Sequence, residues 1–212
     1  LLVVTAVPIP SSLTFTMFAD HDLSIIAGPS QQVVETLVRQ AGNRGDTYDR
    51  IIERLNEGQQ ALVCFPMVRG IDPVDLPTAR QLAAALANEA FPGFKVGVYH
   101  GGMSRDERAR VFEDFERRRF HVLLSTTSIE DAPELGNVTA LLVESADRYD
   151  LVRLHRLRGM VAKGRGPGLC FYILSSQPSV EGTRLVELVA REQDGFSIAE
   201  QDRLARGDAE LL

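Results

Sequence analysis

The sequence predicts an α/β fold of three layers, with a parallel sheet held between two layers of helices. Three observations lead there. Strand-like and helix-like segments alternate through most of the 212 residues. The strand-like segments at 61–67, 138–143 and 169–174 are apolar along nearly their whole length rather than at every second position. Strands buried on both faces carry that pattern, and a parallel sheet covered by helices buries its strands on both faces. The helix-like segments instead gather their apolar residues on one face, as Ile51, Ile52 and Leu55 do.

The elements follow in order. Residues 1–6 read as a strand that Pro8 and Pro10 stop. Residues 13–18 suit a short helix and 23–26 a brief strand, before the break at Gly28-Pro29-Ser30. A strand at 33–38 leads into a polar loop at 42–46, and Asp46 or Thr47 caps a helix at 48–56 that Gly58 ends. The strand at 61–67 and the Pro- and Asp-rich loop at 70–77 come next. Thr78 opens a helix with Leu82, Ala85, Leu86 and Glu89 at helical spacing, which stops at Phe91-Pro92-Gly93. A strand at 95–99 runs into the turn His100-Gly101-Gly102. Ser104 with Glu107 then makes a capping box, and the helix it starts turns Val111, Phe112 and Phe115 inward. Strands at 122–124 and 138–143, a helix at 151–160, a loop at 164–168, a strand at 169–174 and a helix at 180–191 complete the pattern. The stretch from Gly195 onward is polar and helix-prone, with no clear contribution to a core.

Composition narrows the function. Acids outnumber bases 29 to 23, a net charge of −6, so bulk charge does not mark a dedicated nucleic-acid binder. No apolar run approaches the roughly 20 residues of a membrane helix, and nothing points to export, so the expectation is a cytoplasmic, monomeric protein without a membrane partner. The two cysteines, Cys64 and Cys170, sit in apolar runs and read as reduced core thiols. Their spacing suits no metal site, and no metal is expected. His21 and His121 have no supporting context. Arg105, Arg108, Arg110, Arg117, Arg118 and Arg119 are largely offset by neighbouring acids and read as a solvated helix face. Arg148, Arg153, Arg156, Arg158, Lys163 and Arg165 form the one net-basic stretch.

The chain carries no glycine-rich loop ending in Lys-Ser/Thr, and no Asp-Glu pair after an apolar strand to hold Mg²⁺. Triphosphate chemistry depends on those groups, so this chain is not expected to bind and split ATP by itself. Other local signals are individually weak. His100-Gly101-Gly102 suits either a phosphate-contacting turn or a plain connection. Ser125-Thr126-Thr127 suits either phosphate hydrogen bonding or a turn. Residues 155–164 suit either a basic binding helix or a solvated face.

Their order is more informative. Thr5-Ala6-Val7-Pro8-Ile9-Pro10 resembles T-A-T-P-I-P, the motif III of RecG-type DNA helicases and their transcription-repair relatives. Phe18-Ala19-Asp20-His21-Asp22-Leu23-Ser24 is similar to the Y-G-D-L-D-x-S continuation, and residues 60–68 to the strand of motif IV. His100-Gly101-Gly102-Met103 resembles H-G-R-M, residues 123–130 resemble V-L-V-A-T-T-V-I-E, and LLVESAD at 141–147 resembles V-I-E-N-A-E. LHRLRGMVAKG at 154–164 resembles motif VI, L-H-Q-L-R-G-R-V-G-R-G. Residues 194–210 resemble D-G-F-x-I-A-E-x-D-L-x-x-R-G-P-G-E, the start of the translocation motif.

The resemblance implies the RecA-like form of the three-layer fold and three parts. Residues 1–29 are the tail of a first RecA-like domain, 30–176 a second RecA-like domain, and 177–212 a helical extension leading into the translocation motif. His100, Gly101, Ser125, Thr126 and Thr127 would face DNA phosphates, joined by Arg206 in the translocation motif. Glu134, Arg158 and Lys163 would lie nearest the nucleotide. The implied partners are branched or forked DNA and the first RecA-like domain in cis, and ATP with Mg²⁺ would enter only in the complete protein.

The departures cluster on the nucleotide side. Where motif V has G-V-D-V-P, this chain has Ala132-Pro133-Glu134-Leu135-Gly136. The two motif VI arginines that reach ATP are Met160 and Lys163, the leading Gln is Arg156, and the inner glycine is Ala162. Lysine keeps a point charge without the bidentate fork, and methionine keeps no charge. An arginine finger is worth about 10³–10⁵ in rate, so one expectation is a degenerate motor domain kept for shape, DNA contact or partner contact with ATP hydrolysis weakened or lost, and the rival is a divergent working helicase that uses Lys163 and Arg158 in altered roles.

Overall fold

The computed structural model describes residues 34–66, 81, 83–126, 129, 135–161, 166–195, 197–198 and 200–201. The elements expected before residue 34, the loop at 70–77, and the expected site residues Thr127, Glu134, Lys163 and Arg206 lie outside these.

Six strands form one sheet: β1 (Val34–Arg39), β2 (Gln60–Cys64), β3 (Val96–Tyr99), β4 (Val122–Ser125), β5 (Val138–Val143) and β6 (Gly168–Ile173). Their order is β1-β6-β5-β2-β4-β3, and every pairing is parallel. Helices α1 (Thr47–Asn56), α2 (Arg105–Glu116), α3 (Leu151–Val161) and α4 (Val180–Arg191) connect and cover it, and a π-turn at Leu86–Ala90 leads toward β3. The expected three-layer α/β architecture is present.

Successive side chains of each strand feed two cores, because neighbours on a strand point to opposite faces. Leu62, Leu123, Leu141, Val143, Cys170 and Tyr172 pack beneath α2, α3 and α4. Ala61, Val63, Leu124, Leu142, Phe171 and Ile173 pack against Ile51 and Leu55 of α1 and against Ala83, Leu86 and Phe91. Both cysteines are buried free thiols, and burial pushes the Cys170 thiol up to about 12. Such a thiol stays protonated and unreactive.

Buried polar groups lock helices to strands. The Gln60 side-chain amide donates to the carbonyls of Phe115 and Phe120, each at 2.7 Å. The first of these lies in the last turn of α2 and also accepts the Arg118 N–H, at 2.9 Å. The Tyr172 hydroxyl donates to the Leu154 carbonyl of α3 at 2.9 Å.

The structure corrects two expectations. The polar stretch after Gly195 does supply a core residue: Ile198 is fully buried in the cluster that holds α3 and α4. Arg108 is not part of a solvated face. It is half-buried, with its guanidinium 5.7 Å from the centre of the Tyr99 ring. The rest of that face fits the solvated reading, with exposed ion pairs Arg117–Glu113 and Arg119–Asp114.

Candidate functional site

Parallel strands end at a common carboxyl edge, where their loops can converge on a site. At this edge β4 is stitched to both its neighbours beyond the ladder. The Thr126 N–H donates to the Tyr99 carbonyl at 3.1 Å, and the Phe65 N–H donates to the Ser125 carbonyl at 2.9 Å. The ends of β2, β3 and β4 are therefore held in register, and Ser125 and Thr126 lie beside the turn at His100.

That turn is tightly bonded. The His100 side chain is buried, and its Nδ1 accepts the Gly102 N–H at 3.2 Å. The Met103 N–H closes on the His100 carbonyl at 3.2 Å. The capping box then starts α2 at once: Ser104 Oγ accepts the Glu107 N–H at 3.3 Å, and Glu107 Oε2 accepts the Ser104 N–H at 2.7 Å. Those bonds from Ser104 hold the Glu107 carboxyl below its usual range. The Thr126 hydroxyl is buried with no partner among the described residues. A helix N-terminus and a buried hydroxyl thus lie along one edge, an arrangement suited to an anion. Of the residues assigned to DNA, the structure brings His100, Gly101, Ser125 and Thr126 together.

A second feature of this edge escaped sequence reasoning. Where β2 and β5 end side by side, their onward connections leave in opposite directions, toward β3 and toward β6. A hollow of about 270 Å³ lies there, lined by Arg44, Tyr48, Phe65, Leu86, Glu89 and Glu144. Arg44 forks onto the Glu144 carboxylate and donates to the Tyr48 hydroxyl at 2.9 Å. The Glu144 bond raises the Arg44 pKa above its ordinary value. Arg44 and Glu144 are 100 residues apart, so no local spacing signals the pair.

The described residues of the nucleotide-side motif, Arg158 and Met160, lie on α3. Helix α3 leaves the carboxyl edge after β5 and runs back to the start of β6, so Met160 lies toward the opposite edge. There the backbone packs closely: a Cβ on Gly168 would stand 2.9 Å from the Val161 carbonyl oxygen. Met160 is half-buried and packs against the core.

Arg158, which the resemblance assigned to the nucleotide, is bonded within the domain. It is 5% exposed, and it donates to the Val189 carbonyl and, at 2.7 Å, to the Glu192 carbonyl. These lie at the end of α4, whose last carbonyls lack helical partners. Its Nη2 also lies 3.0 Å from His155 Nδ1. Burial first, and the Arg158 charge second, hold the His155 imidazole down to about 4, so the ring is neutral and accepts from the guanidinium. Of the positions assigned to ATP, the described ones therefore offer no free cation: Arg158 is committed to α4 and Met160 is uncharged. No sequence signal marked Arg158 as a clamp, because its partners are 31 and 34 residues away.

Residues 45–159 match the family described as the helicase conserved C-terminal domain. Over its full length the chain is similar to the ATP-dependent DNA helicase RecG of Thermotoga maritima, at 31% identity over 215 residues, and to that of a Synechocystis species, at 32% over 213 residues. It spans 27% and 26% of those relatives. Among solved structures it is similar to RecG bound to a three-way DNA junction, with a TM-score of 0.79 and 28% identity, covering 98% of this chain and 27% of that one. A likeness to the yeast DEAD-box splicing factor Prp28 covers 79% of this chain and 35% of that one, with a TM-score of 0.58 and 16% identity, and extends to the fold alone.

Proposed function

Because this chain belongs to the helicase conserved C-terminal domain family, we propose that it serves as the second RecA-like domain of a RecG-like protein that remodels branched or forked DNA. The observation that carries this reading is the stitched carboxyl edge, where the His100–Gly101 turn meets Ser125 and Thr126. Backbone N–H and hydroxyl donors there are suited to phosphate oxygens, which they hold without reading bases. Thr127 and Arg206 join that set by resemblance.

On this reading ATP and Mg²⁺ belong to the complete protein, in which a first RecA-like domain in cis supplies the phosphate loop and acidic motif. This chain does not turn over nucleotide by itself. A second reading, in which the domain keeps DNA or partner contact without supporting hydrolysis, is favoured by Met160 and by the commitment of Arg158 to α4.

Fluorescence anisotropy with a labelled fork tests the proposal. The chain should bind the fork more tightly than linear duplex, with affinity falling as salt rises, because neutralising phosphates releases counterions. Absent or salt-insensitive binding refutes it. DNA-stimulated ATP turnover by the complete protein separates the two readings. Negligible turnover that M160R/K163R raises favours the second, and robust turnover by the unaltered protein favours the first.

A further inference from the structure

Arg108 lies one turn into α2, and its side chain folds back over the segment that precedes the helix. Its Nη2 donates to the Gly101 carbonyl at 2.9 Å. Its guanidinium lies over the Tyr99 ring at 5.7 Å, and that ring is held from its other neighbour by Phe112, at 4.9 Å between centroids. Tyr99 is the last residue of β3, and its carbonyl is the acceptor that fixes Thr126. One side chain thus touches both the strand residue before the bend and a glycine within it.

We propose that Arg108 is a positioning residue for the DNA-contacting turn, holding the Gly101–Gly102 peptide in one orientation so that the glycine pair is ordered before DNA binds beside Thr126. This inference rests on the DNA-binding reading of that edge. The physical need for it is plain. Two consecutive glycines leave the turn with more conformational freedom than any other pair, and a donor that wanders must be ordered before it can bind. The His100 Nδ1 bond restrains the Gly102 N–H. The Gly101 carbonyl has Arg108 as its donor. With both restrained, the peptide plane between them is fixed. A planar guanidinium can lie on an aromatic ring and donate in its own plane together, whereas a lysine ammonium supplies only a point charge.

The rival role for Arg108 is direct contact with a phosphate, and the two separate in a salt titration. A phosphate-contacting arginine contributes about one unit to the slope of log affinity against log salt, whereas a positioning arginine leaves the slope unchanged. Fork binding should be measured for the unaltered chain, R108Q, R108K and Y99L across a salt series, alongside urea unfolding of each. R108Q and Y99L should each weaken binding by about tenfold with an unchanged slope and an unchanged unfolding midpoint, and R108K should not rescue. Unweakened binding by R108Q overturns the inference. So does a slope reduced by about one unit, or full rescue by R108K.

Amide exchange in the DNA-free chain gives a readout independent of binding. R108Q should speed exchange at Gly102 and Met103 while β4 amides stay protected, and unchanged exchange at Gly102 overturns the inference. If the unaltered chain fails to bind forked DNA, the functional reading falls, and the exchange measurement still decides the role of Arg108.

Discussion

Replacing Arg158 by methionine removes the clamp between α3 and α4 while keeping much of the side-chain volume. Arg158 is 5% exposed and donates to the carbonyls of Val189 and Glu192. Hydrogen bonds from a charged donor contribute about 1.5–3 kcal/mol each, and an acceptor left buried without a partner costs about 1–3 kcal/mol. Two opposing effects reduce the total. Desolvating the guanidinium already costs the native state part of that gain. Glu192 is only half-buried, so its carbonyl can recover water once the arginine is gone. The net expectation for R158M is a loss of about 3 kcal/mol, close to two charge-assisted bonds at the low end of their range. For a domain of this size about 1 kcal/mol moves the melting temperature by about 2–4 °C, so calorimetry should show a fall of roughly 6–12 °C. R158K, which keeps one charge and reaches fewer carbonyls, should fall between. A drop under about 2 °C for R158M would mean that α4 is held by its apolar contacts alone, through Val186 and Val189, and the clamp argument would fail.

Two further outcomes follow from the same region. His155 is held at about 4 against an ordinary 6.5, so folding excludes a proton that the unfolded chain carries below about pH 6.5. Stability should therefore be level above pH 6.5 and decline from there toward pH 4, by at most about 1.4 kcal/mol per pH unit. Urea midpoints compared at pH 7.5 and 5 should fall for the unaltered chain and fall less for H155Q; parallel falls refute the assignment. At the far end of α3, G168A places a methyl 2.9 Å from the Val161 carbonyl oxygen and from Val34 Cγ2, so the helix end must shift. Unfolding should show a loss of about 1–3 kcal/mol, as overpacking produces, and an unchanged midpoint would show that the end of α3 yields freely.

Much of the architecture was legible because it rests on local pattern. The apolar runs at β2, β5 and β6 marked two-sided burial, and the Ser104–Glu107 box marked the start of α2 to the residue. The sheet order was not legible. β4 and β5 follow each other in the chain yet lie on either side of β2, an order carried by long-range strand pairing rather than by local pattern. At the carboxyl edge the sequence identified His100, Gly101, Ser125 and Thr126 but not the groups that hold them. Arg108 was legible in principle: an arginine one turn after a glycine-rich bend can reach back to it. Arg158 and the Arg44–Glu144 pair were not, since a charged residue is ordinarily exposed and these are covered by segments distant in sequence.

The two edges of the sheet explain why the nucleotide-side motif can change while the fold persists. Helix α3 is placed by Leu151, Leu154, Leu157 and Val161, all buried, and by the Tyr172 bond to the Leu154 carbonyl. Arg158, the charged residue of α3 that is buried, turns toward α4 and stabilises the domain itself. Met160 in place of arginine exchanges a charge for a side chain that packs on the core, a change that costs the isolated domain nothing in desolvation. At the carboxyl edge the situation is reversed. There the strand ends are joined by backbone bonds of Ser125 and Thr126, whereas the His100 ring itself accepts the Gly102 N–H, so replacing His100 removes a bond of the turn. The fold therefore tolerates an uncharged residue at position 160, because α3 is placed by its buried apolar face and the Tyr172 bond.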